Sequence, residues 1–351
     1  MKARPIVYAL LSALLFGVST PAAKALLGST EPAMLAGLLY CGAGLGAAVF
    51  RRLLPAVASG GLAQQAALTR KDLAWFAGAI VAGGVVGPLL LMLGLARTEA
   101  SAASLLLTLE GVATALMAWF VFHESFDRRI ALGMACLVAG ALVLSWTGTP
   151  TLKSLIGPLA IVGACVAWAL DNNLTRKVSL ADPLQIVELK GVIAGPFNIL
   201  LAWWIGAMLP APLSVVMAAV VGMLGYGASL ALFVLALRDL GTARTGAYFS
   251  TAPFFGAAVA VLALGDPLTP QLMVAGALMA IGSWLHITEH HDHPHTHDAM
   301  AHDHAHVHDE HHQHDHGVED LGEEPHSHWH RHEPFEHAHA HTPDEHHRHR
   351  H

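Results

Sequence analysis

Three carboxylates stand within apolar stretches of this 351-residue sequence: Glu110 near the centre of its stretch, Asp171 toward the inner side of its own, and Glu188 one to two turns in from the inner mouth. An acid at the centre of a membrane helix costs about 2.5 kcal/mol or more on insertion scales. It must therefore face a cavity, find a partner or hold a proton. Carboxylates that alternate between a proton and a cation suit coupled transport, so all three are candidates for a transport path. Asn172 adjoins Asp171 and adds an oxygen ligand, while Lys190 and Lys24 are candidate cations of the same path. Bland alternatives exist for each. Glu110 has Thr108 and Thr114 as polar company for a purely structural bond, Asp171 could pair with Arg176, and lysines near span ends snorkel to the interface. Glu188 and Lys190 are two residues apart, so they point to different faces and do not neutralise each other along one helix.

A second chemistry fills the C-terminal end. Residues 290–351 hold 24 of the 26 histidines, many in alternating His-x-His runs. The candidate metal ligands are His290, His291, His293, His295, His297, His302, His304, His306, His308, His311, His312, His314 and His316. Neutral imidazole suits zinc, nickel, copper and iron, and geometry must select among them. No apolar periodicity survives here, so the tail is expected to be disordered when empty and to bind divalent metal without a fixed fold. A pH sensor is the competing reading, since the same histidines could carry the tail from −11 to as far as +13.

The elements that must position these groups follow from composition. Only 13% of residues are charged, about half the globular norm, and 54% are hydrophobic. Residues 1–289 hold 16 Lys and Arg against 12 Asp and Glu, while residues 290–351 hold 3 against 14. Apolar stretches near 5–27, 32–50, 73–96, 99–122, 128–147, 155–175, 184–206, 214–237, 242–264 and 270–288 are each about long enough to cross the hydrocarbon layer as a helix. A single-core soluble enzyme is excluded, and no basic patch exists for nucleic acid. The start of the chain imitates a signal peptide but continues as the first of the regular series. Cys41, Cys136 and Cys165 have no CxxC spacing and read as packing residues.

With the N-terminus inside, twelve basic residues fall on inner segments and only Arg97 and Lys153 on outer loops. The positive-inside rule then puts both termini in the cytoplasm.

The spans also repeat. Phe16 to Lys24 followed by Glu31-Pro32 is echoed by Trp168 to Arg176 and Asp182-Pro183, and His123-Glu124-Ser125-Phe126 is echoed by Gly265-Asp266-Pro267-Leu268. Five spans per repeat force the halves into opposite orientations, the inverted-repeat plan of many secondary transporters. Gly87-Pro88, Gly195-Pro196 and Ala252-Pro253 are expected to interrupt their helices. Asp127 and Thr269 are expected to cap the helices that follow Glu124 and Asp266.

The two halves resemble paired EamA domains of the drug/metabolite transporter superfamily, on Ala102-Ala103-Ser104-Leu105-Leu106 through Glu124 with the Gly-rich fifth span, and on the counterpart 243–285. The resemblance implies a ten-helix inner-membrane carrier that exports small metabolites or toxic compounds, driven by an ion or solute gradient. The family commonly has proline early in the fourth and ninth spans. Pro253 fits the ninth, while Glu110 occupies the matching place in the fourth.

The expected fold is therefore an all-α integral membrane protein with ten transmembrane helices in two inverted five-helix repeats, 5–148 and 153–288, followed by a disordered His-rich cytoplasmic tail, 290–351. The expected function is proton-coupled export of a divalent transition metal, nickel or cobalt first and zinc next, by analogy with a nickel/cobalt efflux branch of that superfamily. The alternative is export of amino acids or other small organic metabolites, with a tail that only stores or senses metal. No enzyme activity and no required cofactor are expected. Partners are the lipid bilayer, the solute or metal ion and, in an assembly the sequence allows, a second copy of the chain.

Overall fold

The computed structural model describes residues 3–53, 72–122, 128–146, 152–176, 183–240 and 242–287, and in the C-terminal region 292–297, 300–306, 326–332 and 335–340. Up to Ile287 every described element is helical. The helices are α1 (Ala3–Leu26), α2 (Pro32–Leu53), α3 (Asp72–Ala79), α4 (Gly87–Leu95), α5 (Ala100–Leu106), α6 (Leu109–Phe122) and α7 (Arg128–Ser145). They continue as α8 (Leu152–Arg176), α9 (Pro183–Trp204), α10 (Pro212–Gly222), α11 (Ser229–Leu240), α12 (Thr242–Phe249), α13 (Ala252–Val259) and α14 (Pro270–Ile287). Joined end to end where they are collinear, they make nine candidate membrane spans among the described residues, from Arg4–Leu26 to Thr245–Leu264. A shorter apolar helix, Pro270–Leu285, follows. The expected count of ten is not reached by length, because the described apolar part of α14 is shorter than a usual crossing.

Local sequence sets the helix ends. Four helices begin on proline (Pro32, Pro183, Pro212 and Pro270), where the missing N–H would have had no partner and the fixed φ already suits a helix. Glu31 caps α2, its Oε2 accepting from the N–H groups of Ala33 at 2.8 Å and Met34 at 3.2 Å. Thr269 caps α14 as expected, with its Oγ1 3.1 Å from the N–H of Leu272. The Glu124 and Asp127 positions lie outside the described residues. Asp266 does something unexpected: its Oδ2 accepts from the N–H of Ser101 at 2.7 Å and so caps α5, which lies far away in sequence.

Three stretches are wound as π-helix: Ile80–Val86 between α3 and α4, Met223–Ala228 between α10 and α11, and Ala260–Leu264 after α13. The fourth and ninth spans break instead, at Leu107–Thr108 and at Ser250–Thr251. The sequence led us to expect interruptions at three proline positions. Gly87-Pro88 follows the first π stretch and Ala252-Pro253 follows the break in the ninth span, but α9 runs through Pro196 without stopping.

Packing is between distant parts of the chain. The second span lies along α9, α7 lies along α14, the first span touches α10 to α13, and α8 touches α3 to α6. Small residues allow these approaches: the backbones of Gly44 and Gly191 meet directly, and a Cβ on Gly191 would overlap the backbone of Gly44. Ser12 and Ser229 exchange hydrogen bonds, each hydroxyl donating to the other's carbonyl at 2.7 and 2.9 Å.

The C-terminal region is a separate unit. There Asp292–His297 pairs antiparallel with Phe335–Ala340, and Met300–His306 with His326–His332. An alternation of two residues matches the period of a strand, so the His-x-His pattern suits ladder pairing even though it cannot build a core.

Candidate functional site

The break in the fourth span creates the site's first component. Thr108 turns its hydroxyl back onto the carbonyl of Leu105 at 2.8 Å, and its N–H also bonds Leu105, at 3.0 Å. The helical bonding pattern is thereby interrupted and restarts at Leu109. Glu110 consequently stands in the first turn of a new helix, where its own N–H and that of Gly111 bond the carbonyls three residues back, Leu107 at 3.1 Å and Thr108 at 3.2 Å. Its Oε1 accepts from Asn172 Nδ2 on α8 at 2.9 Å.

The second component is one residue away on α8. Asp171 Oδ1 accepts from Lys190 Nζ on α9 at 2.5 Å and from Thr175 Oγ1 at 2.9 Å, and Lys190 also reaches Thr175 Oγ1 at 3.2 Å. The side chains of Asp171 and Lys190 are 12% and 13% exposed. The other oxygen, Oδ2, lies against Gly83, where a Cβ would overlap the carboxylate.

Gly83 belongs to the third component, the π-helical stretch Ile80–Val86. Its carbonyl accepts from Tyr40 Oη at 2.5 Å and from Trp168 Nε1 at 3.1 Å, and the next carbonyl, Gly84, accepts from Asn198 Nδ2 at 2.9 Å. The second, sixth and seventh spans thus all donate to two adjacent carbonyls of the third. Aromatic rings continue from Tyr40 to Tyr226 at 6.2 Å, then to Phe16 at 5.6 Å and Phe249 at 5.3 Å.

Of the residues singled out in the sequence, Glu110, Asn172, Asp171 and Lys190 are linked through α8. Glu188 is not part of this group. It pairs with Arg51 at 2.6 Å and lies 3.9 Å from Arg52, at the end of the second span, so the two neighbours on α9 do diverge to separate partners. Lys24 is also elsewhere: its Nζ donates to the carbonyls of Leu95 at 2.6 Å and Thr98 at 2.9 Å, closing the end of α4. Asn173 bonds back to Ala169 on its own helix at 2.8 Å.

For the tail histidines, positions 290, 291, 308, 311, 312, 314 and 316 lie outside the described residues, while 293, 295, 297, 302, 304 and 306 are strand positions. Among the described residues no three His, Cys, Asp or Glu side chains gather to hold a metal ion.

Sequence reasoning missed Tyr40, Trp168, Asn198 and the π segment. The available signal was the Gly83-Gly84 pair and its partner Gly225-Tyr226-Gly227, glycines at matching places in the third and eighth spans.

A helical membrane body with buried ionisable groups and helices broken beside them is built as a solute carrier. The EamA-like transporter family model matches twice, over residues 3–146 and 155–288, and the chain belongs to that family. It is 26% identical over 282 residues to an uncharacterized transporter of Methanothermobacter thermautotrophicus, covering 77% of this chain and 82% of that protein. A solved crystal structure shares the fold with a TM-score of 0.57 at 16% identity, over 82% of this chain and 97% of the other. The protein is a multi-pass membrane transporter.

Proposed function

We propose that this transporter exports a divalent transition metal, nickel or cobalt before zinc, from the cytoplasm in exchange for protons. Glu110 carries the reading. It is an acid held at a helix start inside the fourth span, at the place where the ninth has Pro253. A proline there carries no ionisable group; a glutamate in the same place adds an exchangeable charge. Asn172 and Asp171 put further oxygen atoms on the adjoining α8, as an oxygen-liganded cation requires. The 24 histidines beyond residue 289 support metal as the cargo, since they would concentrate it at the inner face.

An inverted pair of repeats, 5–148 and 153–288, is the framework of this reading. Exchanged packing supports it: the first span lies on the eighth and ninth as α8 lies on the third and fourth, while the second meets the seventh and α7 meets α14. In this reading the membrane is the inner one and both termini are cytoplasmic, which sets the Arg51–Glu188 pair at the inner mouth.

One observation favours a second cargo class. Asp171 and Lys190 together offer both signs of charge, which fits an amino acid or similar zwitterion. The deciding experiment is cell-associated nickel, cobalt and zinc in a metal-sensitive host carrying the full chain, Glu110→Gln, or a chain ending at Glu289. Metal export is upheld if one metal falls with the full chain, returns with Glu110→Gln, and stays partly lowered by the truncated chain. Metal content that rises with the tail and ignores Glu110 makes the tail a store and the cargo organic.

A further inference from the structure

We propose that Lys190 is a tethered stand-in for the cargo: in the empty carrier its ammonium occupies the Asp171 carboxylate, and an arriving cation must displace it. The inference rests on Asp171 belonging to the transport path. Three features of the pair carry it.

The first is the choice of cation. Glu188, on α9, is held by the guanidinium of Arg51 at the end of the second span. Two residues further along α9, the interior acid is held by a lysine. Arginine's planar fork suits a permanent pair, whereas an ammonium on a four-carbon stem makes a single point contact and moves easily.

The second is the unequal use of the two oxygens. Oδ1 receives both Lys190 and Thr175, while Oδ2 lies against the bare backbone of Gly83 and, among the described residues, accepts no hydrogen bond. A carboxylate committed to structure alone would be expected to use both.

The third is the landing place. Thr175 Oγ1 is already 3.2 Å from the ammonium, so Lys190 can leave Asp171 and keep a polar partner. A neutral pair is far cheaper in a low-dielectric interior than a lone carboxylate, so the empty carrier is held ready without a bare charge. Lys190 also becomes a specificity residue: a neutral solute gains nothing by displacing it, and a cation must bind Asp171 better than the ammonium does.

The test is lysine accessibility in the purified full chain, by reductive methylation read by mass spectrometry, with nickel ion alone as the probe in excess over the tail's capacity. Lys24, held by two backbone carbonyls, is the internal control, and residues 290–351 contain no lysine to confuse the measurement. Nickel should raise methylation of Lys190 about fivefold or more and leave Lys24 unchanged, a response in the usual range for coupled binding. Unchanged Lys190, or equal changes at both lysines, overturns the proposal.

Nickel uptake into proteoliposomes separates this from the underlying reading. Lys190→Gln should lower the KM and Lys190→Arg should raise it, because one removes the competitor and the other strengthens it. If Lys190→Gln fails to fold, Lys190→Arg decides alone: an unchanged KM counts against the stand-in. Transport untouched by Asp171→Asn would instead sink the assignment of Asp171 to the path.

Discussion

Thr108 and Thr251 stand 143 positions apart and make the same hydrogen bond: each hydroxyl donates to the carbonyl three residues earlier, Leu105 at 2.8 Å and Tyr248 at 2.6 Å, at the point where its span breaks. A new helix starts just beyond each break, with Glu110 as its second residue in one case and Pro253 in the other. The two breaks are alike in backbone and differ in chemistry.

That likeness makes an unusual substitution tolerable. Glu110→Pro should fold, because proline suits the first turn of a helix and the second break already carries one. The cost should stay near the one backbone bond it removes, from the Glu110 N–H to Leu107 at 3.1 Å, or about 1 kcal/mol. Transport should fall to background. A thermal melt and a vesicle uptake assay check both halves; a protein that aggregates would show that the breaks are not equivalent.

Gly83→Ala should lower uptake at least about tenfold, since the new methyl group needs the space of the Asp171 carboxylate. Gly111→Ala, one residue beyond Glu110, meets nothing within 4 Å and should leave uptake and melting unchanged. Equal effects from the two changes would contradict the placement of Asp171.

Tyr40→Phe and Trp168→Phe each remove one of the two donors to Gly83, leaving its carbonyl with a partner. Each alone should cost about 1 kcal/mol or less. The double variant leaves a buried carbonyl unpaired and should cost about 1–3 kcal/mol beyond the sum of the singles. Denaturation of the detergent-solubilised chain with both single variants measures this coupling, and simple additivity would refute it.

Changing His302, His304, His306, His326, His328 and His330 to alanine should lower the nickel retained by the purified chain, measured by mass spectrometry. It should leave the maximal uptake rate at saturating nickel within about twofold, because a tail that collects metal acts on supply and not on the membrane step. A maximal rate that falls with the histidines would move the tail into the transport path.

The membrane body was legible because its signals are long: runs of twenty apolar residues, basic loops and a repeat nearly 150 residues apart survive any error in a single position. Glu110 was legible because an acid in lipid is conspicuous, and the Gly–Pro signals found two of the three interruptions they announced. Pro196 misled because its neighbours on the second span and the Ile80–Val86 stretch support α9 on either side of it. Lys24 shows a different limit. A lysine near a span end looks the same in sequence whatever it binds, and its partners, the carbonyls of Leu95 and Thr98, come into view only with the fold. The Gly83 clamp was invisible because Tyr40, Trp168 and Asn198 are ordinary residues of apolar helices until folding points them at one carbonyl pair.

The π-helical stretch Ile80–Val86 also changes what the third span can offer its neighbours. A π turn takes in more residues than an α turn and shifts the bonding of the backbone, and Pro88, just beyond it, has no N–H to give the carbonyl four residues earlier, Gly84. Gly83 and Gly84 stay on the buried face of the span, with carbonyls that accept from three other helices. Deleting one residue from this stretch would restore a regular helix and leave Tyr40, Trp168 and Asn198 reaching for carbonyls that had turned away.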